Sequence, residues 1–386
     1  MACATASIPI SVREEPILEF GIVDAHAHIF PPLAGACGFA DAETHLLHQQ
    51  RSMHVHGNQP YRRASDQALI RERPLWSADD PSPAGRRLDV GFKVGRCGRF
   101  EWEAAGEAQY VQLLPPYMAD MSMPAQVLIR QMNHAGIEIA VLQNDHIYGN
   151  LAEDFAAAAR DYPGRLIGLA QVEEAFAYRD EEIRRLVEQI DRLGMCGLYF
   201  TTTGLFRDGY RQAPGDNIYD PLWREVARRD LPVFWVHSAK SPLGGYEDEM
   251  RHLARIVERH PSIRHVLVHG APTALYADER ERLALPAILR HLLMEAPVTA
   301  EILYPIAWGG RMDYPYRRAL THICALIDAF GSERFIWGSD MPNVERYCTY
   351  RQSLSYLWNN ADFLSDLDRR RIFRDNALAL FRRSSR

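Results

Sequence analysis

From about residue 123 onward, short runs rich in β-branched and aromatic residues alternate with longer amphipathic stretches, and that beat restricts the chain to few folds. The runs are Ile137–Gln143, Leu166–Val172, Gly197–Phe200, Val233–His237, His265–Gly270, Val298–Ile302 and Phe335–Asp340. Helical patterns lie between them, among them Glu181–Leu193, Tyr219–Arg229, Glu247–Arg259 and Arg280–Glu295. Near-continuous apolar strands separated by helices imply a parallel sheet, because parallel neighbours need a crossover and the crossover helix covers the sheet. Gly21–Ile29 supplies an eighth strand, the count at which such a sheet closes on itself. A doubly wound open sheet usually begins with a glycine-rich phosphate turn, whereas this first strand runs into His-Ala-His-Ile-Phe-Pro-Pro. The pattern predicts an α/β fold of the TIM-like (β/α)8 barrel type.

Residues 31–122 break the beat. They are rich in Pro, Gly and Arg, and the alternating pieces Leu88–Val94 and Gln109–Leu114 suggest a small antiparallel hairpin. An insertion straight after the first strand lies over the end of a barrel where active sites form, so it reads as a lid. A single barrel domain over 17–386 follows, with 1–16 as an N-terminal extension and Arg351–Arg383 as two or three helices on the barrel exterior. The length of 386 residues suits one barrel with an insertion.

A net charge of −6 and a pI near 6.2 give no reason to expect nucleic acid or a membrane surface as partner. Six scattered cysteines without a CxxC pair point to reduced thiols. Met1–Pro16 lacks the apolar run of a secretory leader, and no stretch of 18 apolar residues occurs. The expectation is a cytoplasmic enzyme acting on a small molecule, with a homodimer allowed.

Asp24-Ala25-His26-Ala27-His28 carries the strongest local signal. Strand residues two apart face the same way, so His26 and His28 project together, as two imidazoles must to share a divalent transition metal. A pair of core histidines would show the same spacing. His237, His269 and Asp340 then end the fifth, sixth and eighth strands, where barrel enzymes place their chemistry. Together these residues indicate a metal site.

The chain resembles the amidohydrolase superfamily, in its branch around aminocarboxymuconate-semialdehyde decarboxylase, the amidohydrolase 2 group. The likeness runs through VDAHAHIFPP, Val127–Leu142, Asp161–Leu169, Leu231–Ser238, His260–Gly270, Phe335–Pro342 and Asn376–Phe381. The resemblance implies that His26, His28, His237 and Asp340 bind one divalent metal, usually zinc, with a water completing the shell. Manganese or iron suits the same ligands. His269 is then the acid–base residue, and Asp340 accepts a hydrogen bond from the water besides binding the metal. The fourth strand lacks the lysine of binuclear relatives, which favours one metal. Glu173 and Glu174 follow the third strand and could, with His269, hold a second metal; solvated acids are the plainer reading.

Candidate substrate contacts are Arg51, Arg62, His56 and His146, with Arg63, Arg96 and Arg99 as further guanidinium groups able to clamp a carboxylate. His45, His48 and His54 add to the histidines of the insertion. Tyr199, Phe206, Trp235, Tyr304 and Trp308 could wall an apolar pocket or simply pack the core. The leading expectation is redox-neutral decarboxylation or hydrolysis of a small, anionic, cyclic or aromatic carboxylate through a metal-bound water. An oxygen-activating diiron monooxygenase using Glu173 or Glu174 is the alternative, and a non-catalytic binding module is the third.

Overall fold

Eight parallel strands carry the core of the computed structural model, which describes residues 20–55, 59–77, 85–239, 241–303 and 312–382. The 1–16 extension, His56, Tyr304 and Trp308 lie outside the described residues. The strands are β1 (Ile22–Ala27), β2 (Ile137–Leu142), β3 (Leu166–Gly168, resuming at Ala170–Gln171), β4 (Leu198–Thr201), β5 (Val233–Val236), β6 (His265–Leu267), β7 (Val298–Ile302) and β8 (Phe335–Trp337). Nearly all their residues are buried, which explains why they read as continuous apolar runs.

The sequence predicts one closed ring, but the regular ladders form two parallel sheets. One runs β1–β2–β3 and the other β3–β4–β5–β6–β7–β8, with the two halves of β3 in different sheets. The handover occurs at Leu169, whose N–H still donates to Leu142 while the next N–H, of Ala170, donates to Gly197. On the far side β8 stops before it meets β1. The loop after it makes the contact instead: Asp340 N–H donates to the His26 carbonyl, and His28 N–H to that of Met341, each at 2.8 Å. Gly338 permits this approach, since a Cβ there would stand 2.8 Å from the Cβ of His26.

Helices Asp180–Asp191, Asp220–Arg228 and Tyr246–Arg259 fall where the periodicity puts them. The pattern over Arg280–Glu295 yields only Ala287–Glu295. Pro286 stands before that helix and disfavours helical backbone in the residue preceding it, and Ala277 and Leu283 form an antiparallel bridge. The C-terminal helix Asn376–Phe381 is not on the exterior. Its Ala377 and Leu380 join the interior cluster of Val23, Ala25, Val141, Phe234 and Val266, and Phe381 stacks on Phe234 at 6.1 Å. It closes the core from one end.

Residues 31–122 are bracketed by Phe30 and Met123, which exchange backbone hydrogen bonds. They hold the helix Ala42–Val55 and a five-stranded antiparallel sheet. The expected hairpin has a different partner: Glu107–Gln112 pairs with Arg99–Ala104, and Lys93–Val94 adds to the far side of that strand. Ala105 and Gly106 both take positive φ, as a tight two-residue turn requires. The helix is tied to the loop after β2, where His45 and Gln49 both contact the Ile147 carbonyl. Cys37, Cys97, Cys196, Cys324 and Cys348 are free thiols. No described helix is long and apolar enough to cross a membrane.

Gly338→Ala should destabilise the fold by about 1–3 kcal/mol, the usual cost of overpacking a tight contact. Urea unfolding checks it: the midpoint should fall with an unchanged slope.

Candidate metal centre

The register of β1 on β2 runs from Asp24 against Ala140 to Ala27 against Leu142, three steps against two. The extra residue is a β-bulge, a device that re-aims the side chains beyond it. Val23 and Ala25 face the interior cluster, and with the extra residue taken up between Asp24 and Ala27 it is His26 and His28 that meet, their Nε2 atoms 3.0 Å apart. Asp24, buried, accepts from His26 N–H, Ser339 N–H, the Ser339 hydroxyl and the Tyr350 hydroxyl. These donors clamp the loop after β8 to β1. Burial still pushes the Asp24 carboxyl up to about 6.

His26 Nδ1 lies 2.9 Å from Glu301 Oε2 on β7, and His28 Nδ1 lies 2.9 Å from the Gln143 carbonyl. An ionised carboxylate and a carbonyl only accept, so both Nδ1 atoms carry protons. Both Nε2 atoms then offer lone pairs toward each other. Asp340 Oδ1 stands 3.1 Å from one and 3.4 Å from the other. Two lone pairs and a carboxylate oxygen converge stably only around a cation. A proton can take that part: burial pulls the His26 imidazolium down, but Glu301 and Asp340 outweigh it and carry it up to about 9. Against burial, His26 and His28 hold the Asp340 carboxyl well below the usual range. The donors are nitrogen and oxygen, as zinc and its neighbours prefer.

His269 joins this group. It, His26 and Asp340 each bring a ligand atom within 4.8 Å of the others. Both His269 and Asp340 have left-handed backbone, φ 64° and 62°, which is uncommon away from glycine and clusters at functional sites. Asn343 Nδ2 donates to Asp340 Oδ1 and to the Tyr148 hydroxyl, each at 2.7 Å, and the Tyr148 ring packs on His28.

His237 stands outside that three-residue group. Its Nδ1 lies 2.9 Å from Glu249 Oε2, its ring stacks on Trp235, and its buried Nε2 has no hydrogen-bond partner among the described residues. Neither Glu173 nor Glu174 shares a ligand group with His269. Glu174, fully buried, lies 2.5 Å from His146 Nε2 and accepts from Thr201 N–H. Glu173 faces His48 at 3.8 Å and Arg207 at 3.6 Å. His48 and His146 stack at 4.6 Å. Burial takes His48 down to about 4; in His146 burial pulls the same way, but Glu174 overrides it and carries the imidazole up to about 9.

Of the candidate arginines, Arg51 alone is buried. Its guanidinium lies 5.0 Å from the Trp76 ring and 5.8 Å from those of Phe206 and Tyr210. Arg62 donates to the Gln67 carbonyl within the antiparallel sheet, and Arg63 pairs with Glu107. Arg99 lies over Tyr110, and Arg96 is exposed. The Tyr199 hydroxyl donates to Asp145.

Sequence reading missed Glu301 and Glu249, the carboxylates behind His26 and His237. Both left a signal. Glu301 interrupts an apolar strand, and Glu249 is in helical register with Leu253 and Ile256 on a buried face.

The model of the amidohydrolase family matches residues 23–383. No curated protein matches the chain. Among solved structures, a probable 2-pyrone-4,6-dicarboxylic acid hydrolase from Acinetobacter baumannii, with citric acid bound, is 15% identical at a TM-score of 0.55, over 94% of this chain and 99% of that one. The 2,6-dihydroxybenzoate decarboxylase from Rhizobium is 17% identical at a TM-score of 0.48, over 66% and 87%. At such identities the first likeness shows a shared fold.

The His146–Glu174 pair gives a pH signature. The imidazole is raised from 6.5 to about 9 in the fold, so its contribution to stability is complete below pH 6.5 and lost as pH rises through 9. The stability difference between wild type and His146→Gln, from urea unfolding at fixed ionic strength, should shrink over that window. A flat difference would contradict it.

Proposed function

The chain belongs to the amidohydrolase family, and on that footing we propose that it is a metal-dependent, redox-neutral enzyme that decarboxylates or hydrolyses a small cyclic or aromatic carboxylate. The observation that carries this reading is the pair of imidazole lone pairs facing each other beside Asp340. His26, His28 and Asp340 would hold the cation, and the Nε2 of His237, without a hydrogen-bond partner among the described residues, would complete the set. We take the metal to be zinc and the two sheets to be arcs of one closed barrel. Bound there, a divalent ion polarises a substrate oxygen and makes water a nucleophile near neutral pH.

His269 moves the proton. An imidazole is suited to that work because it titrates near neutrality. In decarboxylation the bond from ring carbon to carboxylate breaks, its electron pair stays on the carbon, and His269 delivers a proton there as carbon dioxide leaves. In hydrolysis water adds to an ester or amide carbonyl and gives a proton to His269, the bond to the leaving group breaks, and His269 returns that proton to the group. The family membership supports both outcomes, and they share one site.

Arg51 supports an anionic substrate. A buried guanidinium among aromatic faces suits a planar ring that bears a carboxylate. The 31–122 segment acts as the lid over this region. The ties from its helix to the loop after β2 support that role.

Protein purified without added metal should carry about one equivalent of divalent ion by elemental analysis. His26→Ala and Asp340→Asn should lose it. His269→Asn should keep the metal while turnover falls roughly 10²–10⁴-fold. A panel of aromatic and pyrone carboxylates, followed for carbon dioxide release and for ring opening, separates the two reactions. Wild-type protein that neither carries nor takes up a divalent ion would end this reading.

A further inference from the structure

Glu301 is a buried carboxylate in a strand whose other members are Val298, Thr299, Ala300 and Ile302. A charge in such a place is costly unless its oxygens find donors, and the donors it finds all belong to the site. Oε2 accepts from His26 Nδ1 and from the backbone N–H of His269, each at 2.9 Å. Oε1 accepts from Gln143 Nε2 at 2.7 Å. Gln143 is also the residue whose carbonyl takes the Nδ1 proton of His28. One carboxylate therefore reaches His26 directly, His28 through one neighbour, and His269 through its backbone.

The main chain of the same residue adds a constraint. His269 and Gly270 both have positive φ, 64° and 72°, and a Cβ on Gly270 would stand 2.1 Å from the Glu301 carbonyl oxygen. A left-handed histidine persists only where its surroundings over-determine it. The Glu301 side chain holds the His269 N–H while the Glu301 backbone leaves room for nothing larger than glycine after it.

We infer that Glu301 is a positioning residue that fixes the His26 ring and the His269 backbone as one unit. Metal ligand and proton carrier then keep a constant mutual placement, because a single oxygen atom is hydrogen-bonded to both. A carboxylate is well matched to this role, since one oxygen takes two N–H donors and its charge strengthens His26 Nε2 as an electron-pair donor to a cation. The inference rests on the metal-site reading for what His26 and His269 do, but not for how they are held.

The test compares wild type, Glu301→Gln and Glu301→Ala by two measurements. Zinc affinity is read by competition with a chromogenic chelator, and hydrogen exchange at the His269 amide is read in the metal-free protein. Glu301→Ala should bind zinc roughly 10–100-fold more weakly and exchange faster at His269. Glu301→Gln, nearly the same shape and the safer variant for folding, should fall between. Its carboxamide oxygen still accepts both N–H groups, but its NH₂ confronts that of Gln143. Variants that melt earlier yet bind zinc and protect the His269 amide like wild type would overturn the inference and leave Glu301 a structural residue. If wild type itself takes no zinc, the functional reading falls, and amide exchange alone decides whether Glu301 holds that backbone.

Discussion

Two imidazole nitrogens whose rings have already committed their protons elsewhere cannot rest 3.0 Å apart without positive charge between them. That constraint organises this end of the molecule. Each proton commitment needs an acceptor of its own: Glu301 from β7 for His26, and the Gln143 carbonyl after β2 for His28. The carboxylate of Asp340 must come from the opposite side, so the loop after β8 has to be drawn against β1. Asp24 does this with its set of donors, and Gly338 makes the contact sterically allowed. The seam between first and last strands is thus formed by the site and not by a ladder.

Much of this was legible in the sequence because buried parallel strands leave uninterrupted apolar runs, and polar residues at their ends stand out. His26, His28, His269 and Asp340 were all visible on that account. The bulge in β1 was not, since a bulge is a mismatch between partners and one strand carries no trace of it. Glu249 and Glu301 were hidden for another reason. Acids are exposed so often that a carboxylate within an apolar pattern is read as a lapse of the pattern, when it marks a histidine to be oriented. The strand Arg99–Ala104 was not among the alternating pieces expected, although Phe100 and Trp102 alternate with charged residues and are both buried. For Asn376–Phe381 the amphipathic pattern identifies an apolar face but not the surface it meets.

The 31–122 segment meets the loops after β2 and β3 through a column of stacked rings as well as through backbone hydrogen bonds such as that from Asn150 N–H to the Cys37 carbonyl. Phe39 stacks on His45 and His48, and His48 stacks on His146, which is held by Glu174. Protonation differs along this column: His48 is kept neutral by burial, whereas His146 is kept charged by its carboxylate. A stack of one neutral and one charged ring avoids the repulsion that two charged rings would suffer. These contacts place His48 beside the loops that follow β2 and β3.

The helix Asn376–Phe381 packs against residues of the opening strand and fills the interior beneath them. During synthesis Val23 and Ala25 emerge more than three hundred residues before the side chains that cover them. A nascent chain halted after β8 would hold every strand yet still expose the lower ends of several to water. Completion of the core therefore waits on side chains far along the chain from the strand they cover.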